Sequence, residues 1–256
     1  MKVTLNTDEE IVKDKLTVEY DGTPFIGWQK QHKGVSVQSV IEDALQKFTG
    51  IETPLTGAGR TDAGVHAKGA VAHFDAAKEY APFNIVNGLN FYLHDYPVSI
   101  LSAEAVGNDF HARFSAKSRS YLYRILARRS PPALDDKRVW HIPVALDIEA
   151  MKKGAKYLLG KHDFSAFRSA ECQAKSPIRT LDELTVTEAE GDEIHIHARA
   201  RSFLHNQVRI MTGTLYNVGL GKIAPKEIEK IIAAKDRTLA GPTAPAFGLY
   251  LMKVEY

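Results

Sequence analysis

The stretch Thr56-Gly57-Ala58-Gly59-Arg60-Thr61-Asp62-Ala63-Gly64-Val65-His66 sets one cation and one carboxylate two residues apart in a run rich in glycine and alanine. Small residues let another backbone or a ligand approach closely. A Walker-type phosphate loop is excluded, because no Gly-Lys-Ser/Thr follows. A dinucleotide fingerprint fails as well. Gly57 and Gly59 fit its first two positions, but Asp62 stands at the third, and a strand rather than a helix follows. Two readings remain. Asp62 caps backbone amides in a tight turn, the usual fate of an Asp in a glycine-rich loop, or it is a working carboxylate. Its isolation favours the second, since it is the single acid between Thr53 and Phe74. Neighbouring cations favour the charged form of a carboxylate, and a positioned, charged Asp can act as nucleophile or base.

Two further segments lack acids altogether. Phe110 to Leu134 carries Arg113, Lys117, Arg119, Arg124, Arg128 and Arg129. Ile194 to Ala224 carries Arg199, Arg201, Arg209 and Lys222, with His195, His197 and His205. If the three segments converge, they form a basic cleft holding one carboxylate, which suits a polyanion because neutralised phosphates release counterions. The alternative is that each is a solvated face with acids next door in space. Phe110, His111 and Arg113 interleave aromatics with cations, which suits RNA, where bases stack and phosphates pair. Arg129 and Arg168 are candidates for phosphate contact or plain surface charges. A metal-dependent hydrolase built on His66, His73, Asp75, His94, Asp95 and His111 has no recognised ligand spacing.

The chain has 256 residues, enough for one large domain or two of ordinary size. Its 44% hydrophobic and 25% charged residues are those of a globular protein. Cys172 is the one cysteine, so neither an internal disulfide nor a cysteine-based zinc site can form. No apolar run approaches the ~20 residues that span a bilayer, and the first residues have no signal-peptide core. A reducing cytoplasm is the expected compartment. With a net charge of only +2, any affinity for nucleic acid must come from where the charges sit.

The elements that must position these residues follow from periodicity. Leu16, Val18 and Tyr20 alternate in a strand that Asp21-Gly22 turns. Ser36 caps a helix reaching Phe48, and Gly50 stops it. Strands are predicted over Gly69–Asp75 and Tyr121–Leu126. Tyr121 and Tyr123 lie two apart in the latter, one of them expected in the core. A second helix runs from Ile148 to Leu159 and stops at Gly160. A hairpin joins Leu184–Thr187 to Ile194–Ala200, with Ile194, Ile196, Ala198 and Ala200 on one face and His195, His197, Arg199 and Arg201 on the other. Leu204, Val208, Met211, Leu215 and Val218 mark a third helix, with His205, Arg209 and Thr212 on a different face. Pro225 opens a fourth, and Phe247–Tyr256 is a last strand. Strands and helices without strict alternation predict an α+β fold with mostly antiparallel sheets. The expected organisation is an N-terminal extension over 1–14, an α+β domain over 15–108 carrying the Asp62 loop, and a second over 109–256, divided near Val106-Gly107-Asn108.

The run Gly59-Arg60-Thr61-Asp62-Ala63-Gly64-Val65-His66 resembles the signature of the tRNA pseudouridine synthase A family. Five further blocks agree in order: Glu19 to Gln29; Asp109 to Ala116 with Arg119-Ser120-Tyr121; His162 to Arg168; Phe203 to Arg209; and Gly248 to Leu251. The resemblance spans roughly residues 15 to 256. It implies isomerisation of uridine to pseudouridine at positions 38, 39 and 40 of the tRNA anticodon stem-loop. The C1′–N1 bond is cleaved, the uracil turns, and C5 takes the place of N1, with neither an organic cofactor nor a catalytic metal. It implies two related domains whose sheets join across a central basic cleft, and a homodimer with tRNA lying across both subunits. Asp62 would be the catalytic aspartate, attacking C6 or C1′ or assisting glycal formation. Tyr121 would stack on the base and help remove the C5 proton. Arg209 would pair with Asp62, Arg60 would reach the RNA backbone, and Leu249 would pack beneath the base. The chain departs from the family pattern before Gly248, where Phe247 stands in place of an expected glutamate, and residues 1–14 have no counterpart. A protein that binds RNA without catalysis would use the same cations, but would have no reason to isolate Asp62 against a polyanion.

Overall fold

Leu16, Val18 and Tyr20 are buried on one face of strand β1 (Val12–Tyr20), as their alternation predicts. The computed structural model describes residues 12–256. Val12, Lys13 and Asp14 open β1, and the rest of the extension expected over 1–14 lies outside the described residues. The chain forms two units, one ending at Lys117 and recovering Lys253–Tyr256, the other covering Ser118–Met252.

In the first unit, β1 is followed by helix α1 (Val37–Thr49), strands β2 (Thr56–Gly57) and β3 (His66–Ala76), helix α2 (Pro82–Leu93) and strand β4 (Val98–Val106). β1 pairs antiparallel with both β3 and β4, and β2 adds antiparallel to β3. Ser36 accepts the Ser39 N–H, and Ser39 Oγ accepts the Ser36 N–H, a reciprocal cap on α1. Gly50, at φ 82°, ends the helix in the left-handed conformation. α2 and β4 lie where periodicity predicted no element. α2 has Pro82 at its start, buries Ile85, Leu89 and Leu93, and leaves Phe83 and Phe91 exposed, which blurs its apolar stripe. Asn90 pins it to β4: its amide donates to the Ile100 carbonyl at 2.9 Å and accepts the Ile100 N–H at 2.8 Å.

The second unit holds β5 (Ser118–Ala127), β6 (Trp140–Ile142), α3 (Ile148–Lys156), β7 (Gly160–Asp163), β8 (Ile178–Ala189), β9 (Glu193–Ala200), α4 (Gln207–Gly219), α5 (Glu227–Ala234) and the start of β10 (Leu249–Glu255). Its strand order is β10-β5-β9-β8-β7, with β6 beside β5. The β5–β9, β8–β9 and β7–β8 pairs are antiparallel and β5–β6 is parallel, so the α+β, mostly antiparallel expectation holds. The predicted hairpin turns through Gly191 and Asp192, both at positive φ. Ile194, Ile196, Ala198 and Ala200 are buried, while His195, His197 and Arg199 are half-buried on the other face. α4 begins at Gln207 rather than near Leu204. Asn206 is left-handed at φ 63°, and the Gln207 side chain takes the Leu204 N–H at 2.8 Å, so the chain before it cannot join the helix. Among the described residues no helix is long and apolar enough to cross a membrane.

Asp14 lies on the core face of β1 at 1% exposure. Among the described residues neither carboxylate oxygen has a hydrogen-bond partner. Burial, helped by the nearby charge of Glu79, pushes its carboxyl up to about 6 from 3.8. An acid held up in the folded state favours folding while protonated. As pH rises from about 4 to about 6 the unfolded chain gives up this proton first, and that stability is lost. Asp14→Asn should therefore stabilise the protein at pH 7.5 by about 2 kcal/mol, and by much less near pH 4. Urea titrations at the two pH values check this; an equal gain at both would rule out ionisation as the cause.

Candidate active site

The Asp62 loop takes its shape from a second loop, Asp21 to Trp28. The Trp28 N–H donates to the Thr61 carbonyl at 3.1 Å, and Gly27 bridges to Asp62 in antiparallel fashion. On the far side the Val65 N–H donates to the Asp62 carbonyl at 3.1 Å, closing a turn. The Tyr20 hydroxyl meets Thr61 Oγ1 at 2.8 Å. The Gly22 N–H donates to Nδ1 of buried His66 at 3.0 Å, with Asp21 Oδ1 3.1 Å from the same nitrogen. Glycines make the approach possible. A Cβ at Gly22 would overlap the Val65 carbonyl oxygen, and one at Gly27, at φ 115°, would lie 2.7 Å from the Thr61 oxygen. Asp62 is half-buried and Arg60 is exposed.

Phe110, His111 and Arg113 also lie in the first unit. His73 on β3 accepts the Ala112 N–H at 3.2 Å, and its ring stands 5.1 Å from that of His111 and 5.9 Å from that of Phe110. Burial, with His111 and Lys13 nearby, pushes His73 below the usual histidine range, which suits an Nδ1 that accepts a hydrogen bond. His111 stacks at 4.4 Å on exposed Phe114, and the Arg113 guanidinium lies 5.7 Å from the same ring. Phe114 thus offers an exposed aromatic face beside Arg113 inside the acid-free run, a position that periodicity does not single out. Among the described residues no cluster of three or more His, Cys, Asp or Glu is arranged to hold a metal ion.

Tyr121, Arg209, Leu249, Arg168 and Arg129 belong to the second unit. Tyr121 pairs with Ala198 across β5 and β9 and meets Phe203 edge-to-face at 5.2 Å. It is half-buried, whereas Tyr123 is wholly buried and is the core tyrosine of the two. The Tyr123 hydroxyl donates to the Pro245 carbonyl at 2.7 Å, and its ring fills the space where Gly248 would carry a Cβ. Burial pushes this hydroxyl well above 10 against the opposing pull of Arg209. Arg209 is fixed by donation from Nε to the Ala244 carbonyl at 2.8 Å and from Nη1 to Asn206 Oδ1 at 2.7 Å. Leu249 opens β10 and is buried. Arg168 follows a 3-10 turn over Ser165–Phe167, and the next residue, Ser169, donates its N–H to the His205 carbonyl. Arg129 is exposed beyond the end of β5. Left-handed Asn206, which orients Arg209, carried no signal in periodicity.

The acid-free segments are not uniformly unpaired. β5 and β9 bring two of them side by side, yet Arg124 makes a two-pronged contact with Glu193 and lies 3.4 Å from Asp135. Burial alone would raise the Glu193 carboxyl; hydrogen bonds from Arg124 and His195 override it and hold it below its usual value. Arg199 lies within 4 Å of both Asp182 and Glu183 on β8. For these two arginines the acids are indeed next door in space.

The loop contacts make a stability prediction. Gly22→Ala forces a methyl into the Val65 carbonyl and should cost about 2–3 kcal/mol. Gly50→Ala meets nothing within 4 Å and should cost only the left-handed strain of about 1 kcal/mol. Parallel chemical denaturation checks the difference; a Gly22→Ala protein as stable as its parent would mean the two loops do not touch.

The model of a family described as tRNA pseudouridine synthase matches residues 16–115 and 155–256. The tRNA pseudouridine synthase A of Paramagnetospirillum magneticum is 57% identical over 242 residues, covering 94% of each chain. That of Dinoroseobacter shibae is 51% identical, covering 94% of this chain and 95% of the relative. That of Bartonella tribocorum is 52% identical, covering 94% and 98%. The match takes in Asp62 and the whole of α4 and β10, with Tyr121 in the stretch between its two segments, and this chain belongs to the tRNA pseudouridine synthase family.

Proposed function

We propose that this protein isomerises uridine to pseudouridine at positions 38, 39 and 40 of the tRNA anticodon stem-loop, with Asp62 as the catalytic carboxylate. One observation carries the assignment of Asp62: it is the lone acid of its stretch, half-buried in a loop whose backbone is tied down on both sides of it. The reaction is internal. The C1′–N1 bond breaks, a C1′–C5 bond forms, C5 loses its proton and N1 gains one, so no oxidant or reductant is needed. Asp62 acts on C6 or C1′ or assists glycal formation. Tyr121 stacks on the base and assists proton removal, Arg209 supports Asp62 through its charge, and Leu249 packs beneath the base. The target must leave its stack, because C5 and C1′ are out of reach inside a stem. Arg60, Arg113, Arg129 and Arg168 contact RNA phosphates, and Phe110 and His111 add stacking surface. Selection of the uridines then rests on tRNA shape and backbone contacts. A homodimer acting in the cytoplasm completes the reading, on the strength of the family resemblance.

The test uses unmodified tRNA tritiated at uridine C5. The parent should release tritium to water and Asp62→Asn essentially none, while tRNA affinity survives. Release by Asp62→Asn at the parental rate would remove Asp62 from its role. Arg209→Ala should slow turnover about a hundred-fold and weaken binding far less. A variant that lost only affinity would reassign Arg209 to phosphate contact.

A further inference from the structure

We infer that the buried hydroxyl pair of Tyr20 and Thr61 sets the position of the Asp62 carboxylate, which makes Tyr20 a positioning residue for the proposed reaction. The inference rests on the catalytic reading of Asp62 and deepens it. Tyr20 is 3% exposed and Thr61 8% exposed, and their hydroxyl oxygens lie 2.8 Å apart. A buried hydroxyl robbed of its partner costs more than the bond itself returns, so such a pair holds one geometry. Thr61 is gripped twice, at its side chain by Tyr20 and at its carbonyl by the Trp28 N–H. The rings of Tyr20 and Trp28 lie 6.0 Å apart, so the two grips come from one packed aromatic cluster.

Tyr20 is itself firmly placed. It is the last residue of β1, in register with Ala67 of β3 and Val98 of β4. The β1–β3 register shifts between Val18 and Tyr20, and such a bulge re-aims the side chain that follows it. Thr61 passes the constraint on through one peptide unit, which fixes neighbouring Cα atoms about 3.8 Å apart. A displacement at Thr61 therefore reaches Asp62 almost undiminished, and an error of about 1 Å in a reacting group costs roughly a hundred-fold in rate.

Single-turnover tritium release, with enzyme in excess over C5-tritiated tRNA, tests the inference on Tyr20→Phe, Thr61→Val, their double variant, Thr61→Ser and Asp62→Asn. Tyr20→Phe and Thr61→Val should each slow the chemical step by about 10–100-fold, with tRNA affinity unchanged. The double variant should be slowed by clearly less than the product of the two single losses, since the bond between the two hydroxyls is already gone in each single. Thr61→Ser keeps the hydroxyl and should retain most of the parental rate. A Tyr20→Phe rate within about two-fold of the parent, or losses that multiply in the double variant, would overturn the inference. So would a loss that disappears when rates are expressed per folded molecule. Full activity of Asp62→Asn would sink the catalytic reading itself. An inactive Asp62→Asn beside a fully active Tyr20→Phe would sink the positioning role alone.

Discussion

The hydrogen bond from the Trp28 amide to the Thr61 carbonyl joins the loop that leaves β1 to the loop that enters β3, beyond Tyr20 and Ala67, where the pairing of the two strands ends. A glycine-rich loop left to itself has too much conformational freedom to aim a carboxylate. Here the freedom is removed from outside. Gly22 and Gly27 lack the atoms that would hold the loops apart, and the backbone then closes on backbone. Tyr20, His66 and Trp28 add side-chain ties around the same contact. The glycines on one side and the anchors on the other are thus two halves of one device.

The second unit solves a similar problem differently. Arg209 stands near the start of α4, where the chain reaches the helix through left-handed Asn206. Its guanidinium is not left to solvent. The Ala244 carbonyl and the Asn206 side chain hold two of its nitrogens, and the Ala244 N–H returns to the Arg209 carbonyl at 3.1 Å. Tyr123 clamps the following residues by bonding Pro245 and filling the space above Gly248. A planar cation with its donors already engaged spends little further entropy when it meets a negative group.

Local chemistry made much of this legible in advance. Ser36 and Gly50 mark α1 because a hydroxyl cap and a left-handed glycine are requirements of single residues. The two-residue period of Ile194 to Arg201 exposed the two faces of β9 in the same way. Asp62 stood out by the absence of acids around it. α2 did not stand out, because Phe83 and Phe91 are exposed where a helix of its kind should be polar. The start of α4 was misplaced because Gln207 and Asn206 act through a side-chain bond and a positive φ, which hydrophobic period does not report. Charge counting left two readings open for Arg124 and Arg199, and strand pairing decides between them by delivering acids from β8 and from the first residue of β9. Tertiary partners of this sort are invisible until the register is known.

The last four residues belong to the first unit although the whole second unit precedes them in the chain. The Glu255 carbonyl accepts the Lys117 N–H, the Tyr256 hydroxyl donates to the Ala112 carbonyl, and the Tyr256 ring lies 4.8 Å from that of Phe110. During synthesis these contacts wait until the whole second unit has been made. The first unit therefore stays unsealed until residues 253–256 are made, and long-range closure of this kind is slow to form. A nascent chain stalled before residue 253 would leave the Phe110 ring without its Tyr256 contact.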